Sequence, residues 1–171
     1  VKSSDVLITP GVLGTPKQLE KILCSIGSTF SEISYLSIGD SADSDVMRSI
    51  LYQSKVKVVR GGDMALTQLC ELLRKTFLVI SGRHHINVLC LLLGVPFLPI
   101  PSNTWKVEGT LTDLHPDYTP CLSLQSLKRR IQSIVTSNPI RLEIPMDLVR
   151  KASAKTENFV KGISCGHFNS I

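Results

Sequence analysis

The clearest structural signal in the chain is the stretch 77–100, FLVISGRHHINVLCLLLGVPFLPI. Residues 77–80 are all apolar without alternation, which predicts a strand buried on both faces of a parallel sheet. A polar turn, SGRHH, follows, and 86–93 predict a helix that is apolar nearly all round and therefore central. Gly94 stands where a helix C-cap belongs, and 95–100 predict a further strand.

Strands and helices alternate in the same way before this unit. Proline and glycine mark the turns, and the helical segments carry apolar residues at helical spacing. The predicted strands are 6–9, 34–38 and 56–59, and the predicted helices are 16–26, 45–53 and one for which Asp63 is the expected N-cap. Further helices are predicted at 105–114, 125–135 and 147–160.

This alternation predicts a doubly wound α/β domain with a mostly parallel sheet, because parallel strands need helical crossovers. We expect the α/β domain to occupy 1–137 and to carry extra C-terminal helices. The segment 138–171 is predicted to be a linker and a final helix. That helix would pack back on the domain or toward a missing N-terminal half.

The composition is that of a globular domain rather than a disordered chain. Of 171 residues, 43% are hydrophobic and 19% charged, which is enough apolar material for one sizeable core. The net charge of +5 is modest, and its only dense cluster is 128–130 (Lys-Arg-Arg). We interpret that cluster as a solvated helix face and predict no nucleic-acid partner.

The cysteines predict a reducing compartment, and we expect a cytoplasmic protein. Five cysteines stand far apart without a CxxC motif, so we expect free, mostly buried thiols and no metal site. The apolar stretch 86–100 is too short and too broken by Gly94 and two prolines to cross a bilayer. The chain opens Val-Lys-Ser-Ser without a leader, and we expect it to be a piece of a longer protein or a processed product.

The richest candidate site is the polar turn between the strand at 77–80 and the helix that follows it. Ligands of parallel sheets bind beyond the carboxyl ends of the strands, and this turn combines a hydroxyl, a glycine, a guanidinium and two imidazoles. Its residues are Ser81, Gly82, Arg83, His84 and His85. Arg83 could hold a carboxylate or phosphate through paired hydrogen bonds, beside the positive end of a helix. A histidine there could transfer a proton, although adjacent histidines cannot both face one ligand from a regular helix.

Other polar residues near the strand ends are weaker candidates. Lys106 follows the last predicted strand and could reach the same edge of the sheet. Trp105 could stack on a sugar or a base, although ordinary packing is the more common role of a tryptophan in such a position. The loop 11–14, with glycine at both ends, lacks the GxGxxG pattern, and Asp40 is interpreted as a helix cap, as Asp63 is.

The stretch 77–114 resembles the C-terminal half of the polysaccharide pyruvyl transferase family. Members carry an apolar strand, then Ser-x-Arg-x-His, a small apolar helix, Gly-Val-Pro, a second strand and a lysine. The matching residues in this chain are Ser81, Arg83, His85, Gly94, Val95, Pro96 and Lys106. The chain departs from the family pattern at His84, where a leucine is usual, and at Ile86, where a glycine is usual.

The resemblance implies two facing Rossmann-like domains, as in GT-B glycosyltransferases, with the active site in the cleft between them. It implies transfer of an enolpyruvyl group from phosphoenolpyruvate to two hydroxyls of a sugar, which forms a ketal and releases phosphate. Arg83 would bind the carboxylate or phosphate, His85 would be the general acid, and Lys106 would add a second positive charge. Ser81, Gly82 and His84 would complete the donor site. No metal or other cofactor is implied.

The implied acceptor is a glycan or a lipid-linked sugar, and membrane association through a glycan assembly system is compatible with it. Two alternatives stay open. The first is a GT-B glycosyltransferase domain, in which the same turn binds the diphosphate of a nucleotide sugar and an acid such as Glu108 binds ribose hydroxyls. The second is a non-catalytic Rossmann-like binding module, which a buried or ion-paired Arg83 would favour.

Overall fold

The computed structural model describes residues 5–11, 16–38, 51–52, 54, 56–102, 105–114 and 120–137. The predicted segment 138–171, most of the predicted helix 45–53, and the candidates Asp40 and Gly14 lie outside the described residues. Residues 51, 52 and 54 are helical, as predicted for 51 and 52. In the described part of the chain, no helix is both long enough and apolar enough to cross a bilayer.

Five strands and five helices can be given bounds in the described chain, in addition to the helical residues 51, 52 and 54. The strands are β1 (Asp5–Thr9), β2 (Glu32–Ser37), β3 (Lys57–Arg60), β4 (Leu78–Ser81) and β5 (Phe97–Pro99). The helices are α1 (Pro16–Ile26), α2 (Leu66–Lys75), α3 (His84–Leu93), α4 (Lys106–Leu114) and α5 (Leu124–Ser137).

The strands form one parallel sheet in the order β3-β2-β1-β4-β5. The chain winds outward from β1 to β3 and then returns to the other side of β1 to lay down β4 and β5. This strand order is that of the Rossmann-like doubly wound folds and confirms the predicted fold class. The winding reverses between β1 and β4, which makes the crevice beyond their carboxyl ends the expected ligand position.

Two apolar layers cover the two faces of the sheet. On one face, side chains of α1 and α5 such as Leu19, Ile26 and Leu127 pack against Ile8 and Ile80. The opposite face packs against α2, α3 and α4, in a second cluster that contains Leu7, Leu73, Val79, Ile86 and Leu111. Every residue of β4 is buried, as its unbroken apolar sequence predicts.

The predicted C-cap of α3 is confirmed. Gly94 adopts a left-handed conformation with φ of 63°, which glycine adopts without the steric cost that a Cβ imposes. The amide of Gly94 donates to the carbonyl of Leu91 at 3.2 Å, and the amide of Val95 donates to that of Cys90 at 2.9 Å. These bonds satisfy carbonyls at the end of the helix.

Two of the predicted helix starts are wrong. The helix α3 begins at His84 with Arg83 as its N-cap, two residues earlier than predicted. Asp63 does not cap α2, because it lies in a short 3-10 turn, Gly61–Asp63, and the N-cap of α2 is Ala65. The Gln68 side chain instead accepts a hydrogen bond from the backbone amide of Ala65 at 3.0 Å.

The described cysteines are free, and only two of them are buried. Cys90 and Cys121 are buried, Cys70 is half-buried and Cys24 is exposed, so the prediction of mostly buried thiols holds for half of these four. Burial raises the pKa of the Cys90 thiol to about 12, so that thiol is protonated and unreactive at neutral pH.

Candidate functional site

The carboxyl ends of β1 and β4 meet at the reversal of strand order. Thr9 and Ser81 are partners in the register of the two strands. Immediately beyond them, the amide of Gly82 donates to the carbonyl of Thr9 at 3.0 Å, and the amide of Ile100 donates to the carbonyl of Ser81 at 3.0 Å. The polar turn is therefore bonded to the last residue of β1 and to the residue that follows β5.

Gly82 lies where three backbone segments converge. A Cβ at this position would lie 2.2 Å from the carbonyl oxygen of Pro10 and 3.2 Å from that of Pro101. Gly11, whose φ is 76°, brings the loop after β1 against the carbonyl of Gly82. Only a residue without a side chain fits at position 82, so this glycine sets the close approach of the three loops.

Ser81 and Asn87 are buried and hydrogen-bond backbone groups of the turn. The Ser81 hydroxyl is fully buried; it accepts a hydrogen bond from the amide of Arg83 at 3.0 Å and donates one to the Arg83 carbonyl at 3.2 Å. The Asn87 side-chain amide donates to the carbonyl of Ser81 at 3.3 Å. These contacts fix the direction in which the chain leaves β4 and enters α3.

Arg83 reaches across the strand reversal. Its Nε donates to the hydroxyl oxygen of Thr9 at 3.1 Å, and its side chain is half-buried. Thr9 is fully buried at the end of β1, so this bond restrains the guanidinium at the carboxyl edge of the sheet. A positioned guanidinium can bind a carboxylate or a phosphate through parallel hydrogen bonds.

The first turn of α3 adds a second source of positive potential. Arg83, the N-cap residue of this helix, makes no side-chain cap bond, and the positive end of the helix dipole favours negative charge there. His84 is half-buried and His85 exposed. Their rings meet edge to face, with centroids 5.5 Å apart.

The pKa of His84 is lowered from its ordinary value of 6.5, chiefly because burial disfavours the charged imidazolium. The positive charges of His85 and Lys106 lower the pKa further, and a hydrogen bond with the Lys106 backbone acts in the opposite direction. The hydrogen bond places Lys106, the first residue of α4, next to His84. His84 is therefore largely neutral at pH 7, in surroundings that would stabilise a bound anion.

The six predicted site residues thus meet at one edge of the sheet, and they contribute differently. Arg83, His84, His85 and Lys106 supply the polar groups that are partly or fully exposed. The remaining two, Ser81 and Gly82, are buried and shape the turn. Direct contact of any of the six with a substrate stays a prediction.

Two residues of this arrangement were missed in the sequence. Thr9 was noted only as part of a strand end, although a hydroxyl that ends an apolar strand must find a partner when it is buried. Asn87 is a polar residue inside an otherwise apolar helix, and that is itself a signal, because an unbonded amide is costly to bury. Both residues bond with the turn at 81–83.

Two buried acceptors lack a partner among the described residues, namely Asn87 Oδ1 and Glu108 Oε2. Glu108 lies in the first turn of α4, two residues after Lys106. Trp105 is largely exposed, and its ring lies against Gly109, where a Cβ would be 2.9 Å from the indole Cε3. No group of three or more potential metal ligands exists in the described part of the chain.

Comparison with known proteins yields a structural likeness and no family. No protein-family model matches the chain, and no curated protein matches it. Among the solved structures that match is one from Listeria monocytogenes assigned as a UDP-N-acetylglucosamine 2-epimerase, with 17% sequence identity and a TM-score of 0.48. The match covers 84% of this chain and 47% of that protein, so the chain spans about half of its length.

Proposed function

We propose that this chain binds an anionic donor at the carboxyl edge of its sheet and belongs to a transferase that acts on sugars. The observation that carries the proposal is the bond from Arg83 Nε to Thr9 Oγ1 at 3.1 Å. This bond holds a guanidinium at the reversal of strand order, next to the first turn of α3 and the positive end of its dipole. A ligand that bears a phosphate or a carboxylate is the one that such a cluster of donors would recognise.

The specific donor that we propose is phosphoenolpyruvate, as the resemblance to the pyruvyl transferases suggests. Arg83 would bind its carboxylate or phosphate, with Lys106 and the amides of the first turn of α3 as further donors. His85, which is exposed beside His84, would be the general acid. His84, whose pKa is lowered in the free protein so that its imidazole is largely neutral there, would contact a different part of the donor from His85, because adjacent side chains of a helix do not face the same point.

The proposed reaction forms a cyclic ketal from two hydroxyls of an acceptor sugar. Both hydroxyl oxygens bond to C2 of phosphoenolpyruvate, and the bond from C2 to the phosphate oxygen breaks. The acceptor hydroxyls lose two protons. His85 donates one proton to the methylene carbon, which becomes a methyl group, and one hydroxyl proton replaces the proton that His85 has given up. The other proton leaves with inorganic phosphate. The acceptor that we propose is a glycan or a lipid-linked sugar in the cytoplasm, held against a second, N-terminal domain.

A nucleotide-sugar glycosyltransferase domain is the second candidate. The observation that favours it is the buried Glu108 Oε2, which has no partner among the described residues. A carboxylate oxygen of this kind could accept a hydrogen bond from a ribose hydroxyl. In this function the turn at 81–85 would bind the diphosphate, and His85 would not act as a general acid.

Calorimetric titration of the full chain with phosphoenolpyruvate and with UDP-sugars tests the proposal. We expect phosphoenolpyruvate to bind, and Arg83→Ala to weaken binding by about 2 kcal/mol, or about thirtyfold, because hydrogen bonds to charged groups contribute about that much. The matched control is Arg74→Ala, which removes an exposed guanidinium from the last turn of α2.

Each outcome of the titration has a distinct meaning. Binding of UDP-sugars in place of phosphoenolpyruvate would support the glycosyltransferase function. Equal loss of affinity in Arg83→Ala and Arg74→Ala would contradict a specific role for Arg83. Absence of binding by either ligand would contradict an autonomous donor site and favour a non-catalytic module or a site that needs the second domain.

A further inference from the structure

The positive charge of the described chain is concentrated on one face. The helices α1 and α5 carry five cationic side chains and a single acidic one, Glu20. The rest of the described sequence carries six cations and six acids, so its formal charge is zero. The six cations are Lys57, Arg60, Arg74, Lys75, Arg83 and Lys106, and the six acids are Asp5, Glu32, Asp63, Glu71, Glu108 and Asp113.

The cations of α1 and α5 share one side of the molecule, because the two helices contact each other on the same face of the sheet. Their apolar side chains point to the sheet, and most of their charged ones point away from it. Lys17, Lys21, Lys128 and Arg129 are exposed, whereas Arg130 is half-buried and hydrogen-bonds the thiol of Cys121. We call these five cations the α1–α5 basic face.

An open apolar groove adjoins the basic face at the carboxyl edge of the sheet. Its volume is about 220 Å³, and Ile22 of α1, Leu124 and Leu127 of α5, and Ile100 after β5 contribute to its walls. Lys21 lies at its margin, and so does Leu122, whose side chain is 76% exposed. An apolar side chain that projects beside several cations can enter the acyl boundary of a bilayer while the cations contact headgroups.

We propose that the α1–α5 basic face docks on the surface of an anionic lipid bilayer, with Leu122 entering the headgroup region. Charge complementarity supports a negatively charged partner. Neither α1 nor α5 contains an aromatic residue, and single-stranded nucleic-acid sites use aromatic side chains to stack the bases. The groove and the exposed leucine instead match a partner that has an apolar interior. This proposal rests on the distribution of charge and not on the function proposed above.

Vesicle sedimentation of the full chain tests the proposal. We expect binding to vesicles that contain about one-third phosphatidylserine, and none to pure phosphatidylcholine. The double variant Lys128→Gln/Arg129→Gln is expected to weaken binding at least about tenfold, since each cation near an anionic surface contributes about fivefold. The matched control, Arg74→Gln/Lys75→Gln, removes the same charge from the end of α2 and should leave binding unchanged. Leu122→Gln, which changes no charge, should also weaken binding.

Several results would contradict the proposed docking on an anionic bilayer. These are absence of binding to the anionic vesicles, equal loss in the double variant and its control, and a binding curve that Leu122→Gln leaves unchanged. An RNA oligonucleotide that displaces the chain from vesicles and binds through Lys128 and Arg129 would identify a nucleic-acid surface instead. Circular dichroism of each variant separates a lost surface from a lost fold. If phosphoenolpyruvate does not bind, the vesicle-binding result still stands, because the vesicle assay contains no phosphoenolpyruvate.

Discussion

At the scale of single residues, Gly82 and Gly94 are required for different reasons, and alanine separates them. Gly82→Ala would place a Cβ 2.2 Å from the Pro10 carbonyl oxygen, which the backbone can relieve only by separating the loops after β1 and β4. We expect a loss of at least about 3 kcal/mol, at the upper end for a point mutation. Gly94→Ala meets no atom within 4 Å but keeps a φ of 63°, which costs about 1–2 kcal/mol.

Urea unfolding of the two variants measures this difference directly. Since Gly82 supports the turn that carries Arg83, Gly82→Ala should also abolish donor binding, whereas Gly94→Ala should leave it intact. Equal loss of stability in the two variants would show that the three loops can separate at little cost. That result would contradict the close convergence at position 82.

The lowered pKa of His84 makes donor binding depend on pH. Burial and the neighbouring positive charges favour the neutral imidazole in the free protein, and a bound anion would favour the charged one. His84 would therefore take up a proton when the donor binds. The pKa of its imidazole would be higher in the complex than in the free chain, and affinity should rise as the pH falls between these two pKa values.

Titrations with phosphoenolpyruvate across this pH range, in buffers of different ionisation enthalpy, report the proton uptake. His84→Gln should remove the part of the pH dependence that arises from this imidazole. Because the ligand has its own ionisation, the difference between wild type and variant is the quantity to compare. Identical pH profiles for the two proteins would contradict a role for His84 next to the donor.

The residues of the turn could be predicted at the site because they stand together in the sequence. Ser81, Arg83 and His85 form a motif, and a strand followed by a helix places them at one edge of the sheet. Thr9 could not be assigned as the partner of Arg83, because 74 positions separate the two residues. Their contact depends on β1 lying next to β4, and a local pattern does not specify which strands are neighbours.

At the scale of elements, the start of α2 is capped on one side only. The Gln68 side chain accepts a hydrogen bond from the backbone amide of Ala65 at 3.0 Å. The alanine side chain, in contrast, has no atom that could accept a hydrogen bond from an amide of the first helical turn. Ala65→Ser would complete the reciprocal capping box, because the serine hydroxyl could accept a hydrogen bond from the backbone amide of Gln68. We expect a gain of about 1 kcal/mol in the free energy of unfolding.

Thermal or urea unfolding of Ala65→Ser checks the capping prediction, with Gln68→Ala as its counterpart. Gln68→Ala should destabilise the chain by a similar amount, and Ala65→Ser should still stabilise the Gln68→Ala chain, because the backbone amide of residue 68 remains as a donor to the hydroxyl. A serine variant no more stable than the wild type would show that the extended backbone of Ala65 does not present its side chain to the helix.

The helices that were placed well have strong boundary signals, and those placed poorly have none. Pro16–Ile26 was predicted to the residue, because a proline opens the helix and its apolar spacing is regular. The start of α3 was missed by two residues because Arg83, its N-cap, makes no side-chain cap bond. Of the predicted polar turn, Ser81 ends β4 and the two histidines lie in the first turn of α3.

At the scale of the whole molecule, the parallel sheet was predictable and its strand order was not. Alternation of strands and helices requires crossovers, and crossovers produce parallel strands. The order β3-β2-β1-β4-β5 depends on which side of β1 the chain selects after β3. The clustering of charge on α1 and α5 depends on the same choice, because it places the two helices together on one face.

The helix α5 closes one face of the sheet, and this predicts how far the chain can be shortened. Leu127 and Ile131 of α5 are 2% and 3% exposed in the core that α1 also covers. Burial of two such side chains contributes about 3–6 kcal/mol, which is comparable with the whole stability of a typical domain. A chain that ends at 119 lacks this contribution, whereas one that ends at 137 retains it.

We therefore expect 1–137 to unfold cooperatively in urea and 1–119 to lack a cooperative transition and expose apolar surface to a hydrophobic dye. The comparison also tests the predicted domain boundary, because a domain that occupies 1–137 needs nothing after residue 137 for its core. If 1–137 fails to unfold cooperatively while the full chain succeeds, the segment 138–171 contributes to the core and the predicted boundary is wrong. If 1–119 remains cooperative, the burial of Leu127 and Ile131 contributes less than their exposed fractions imply.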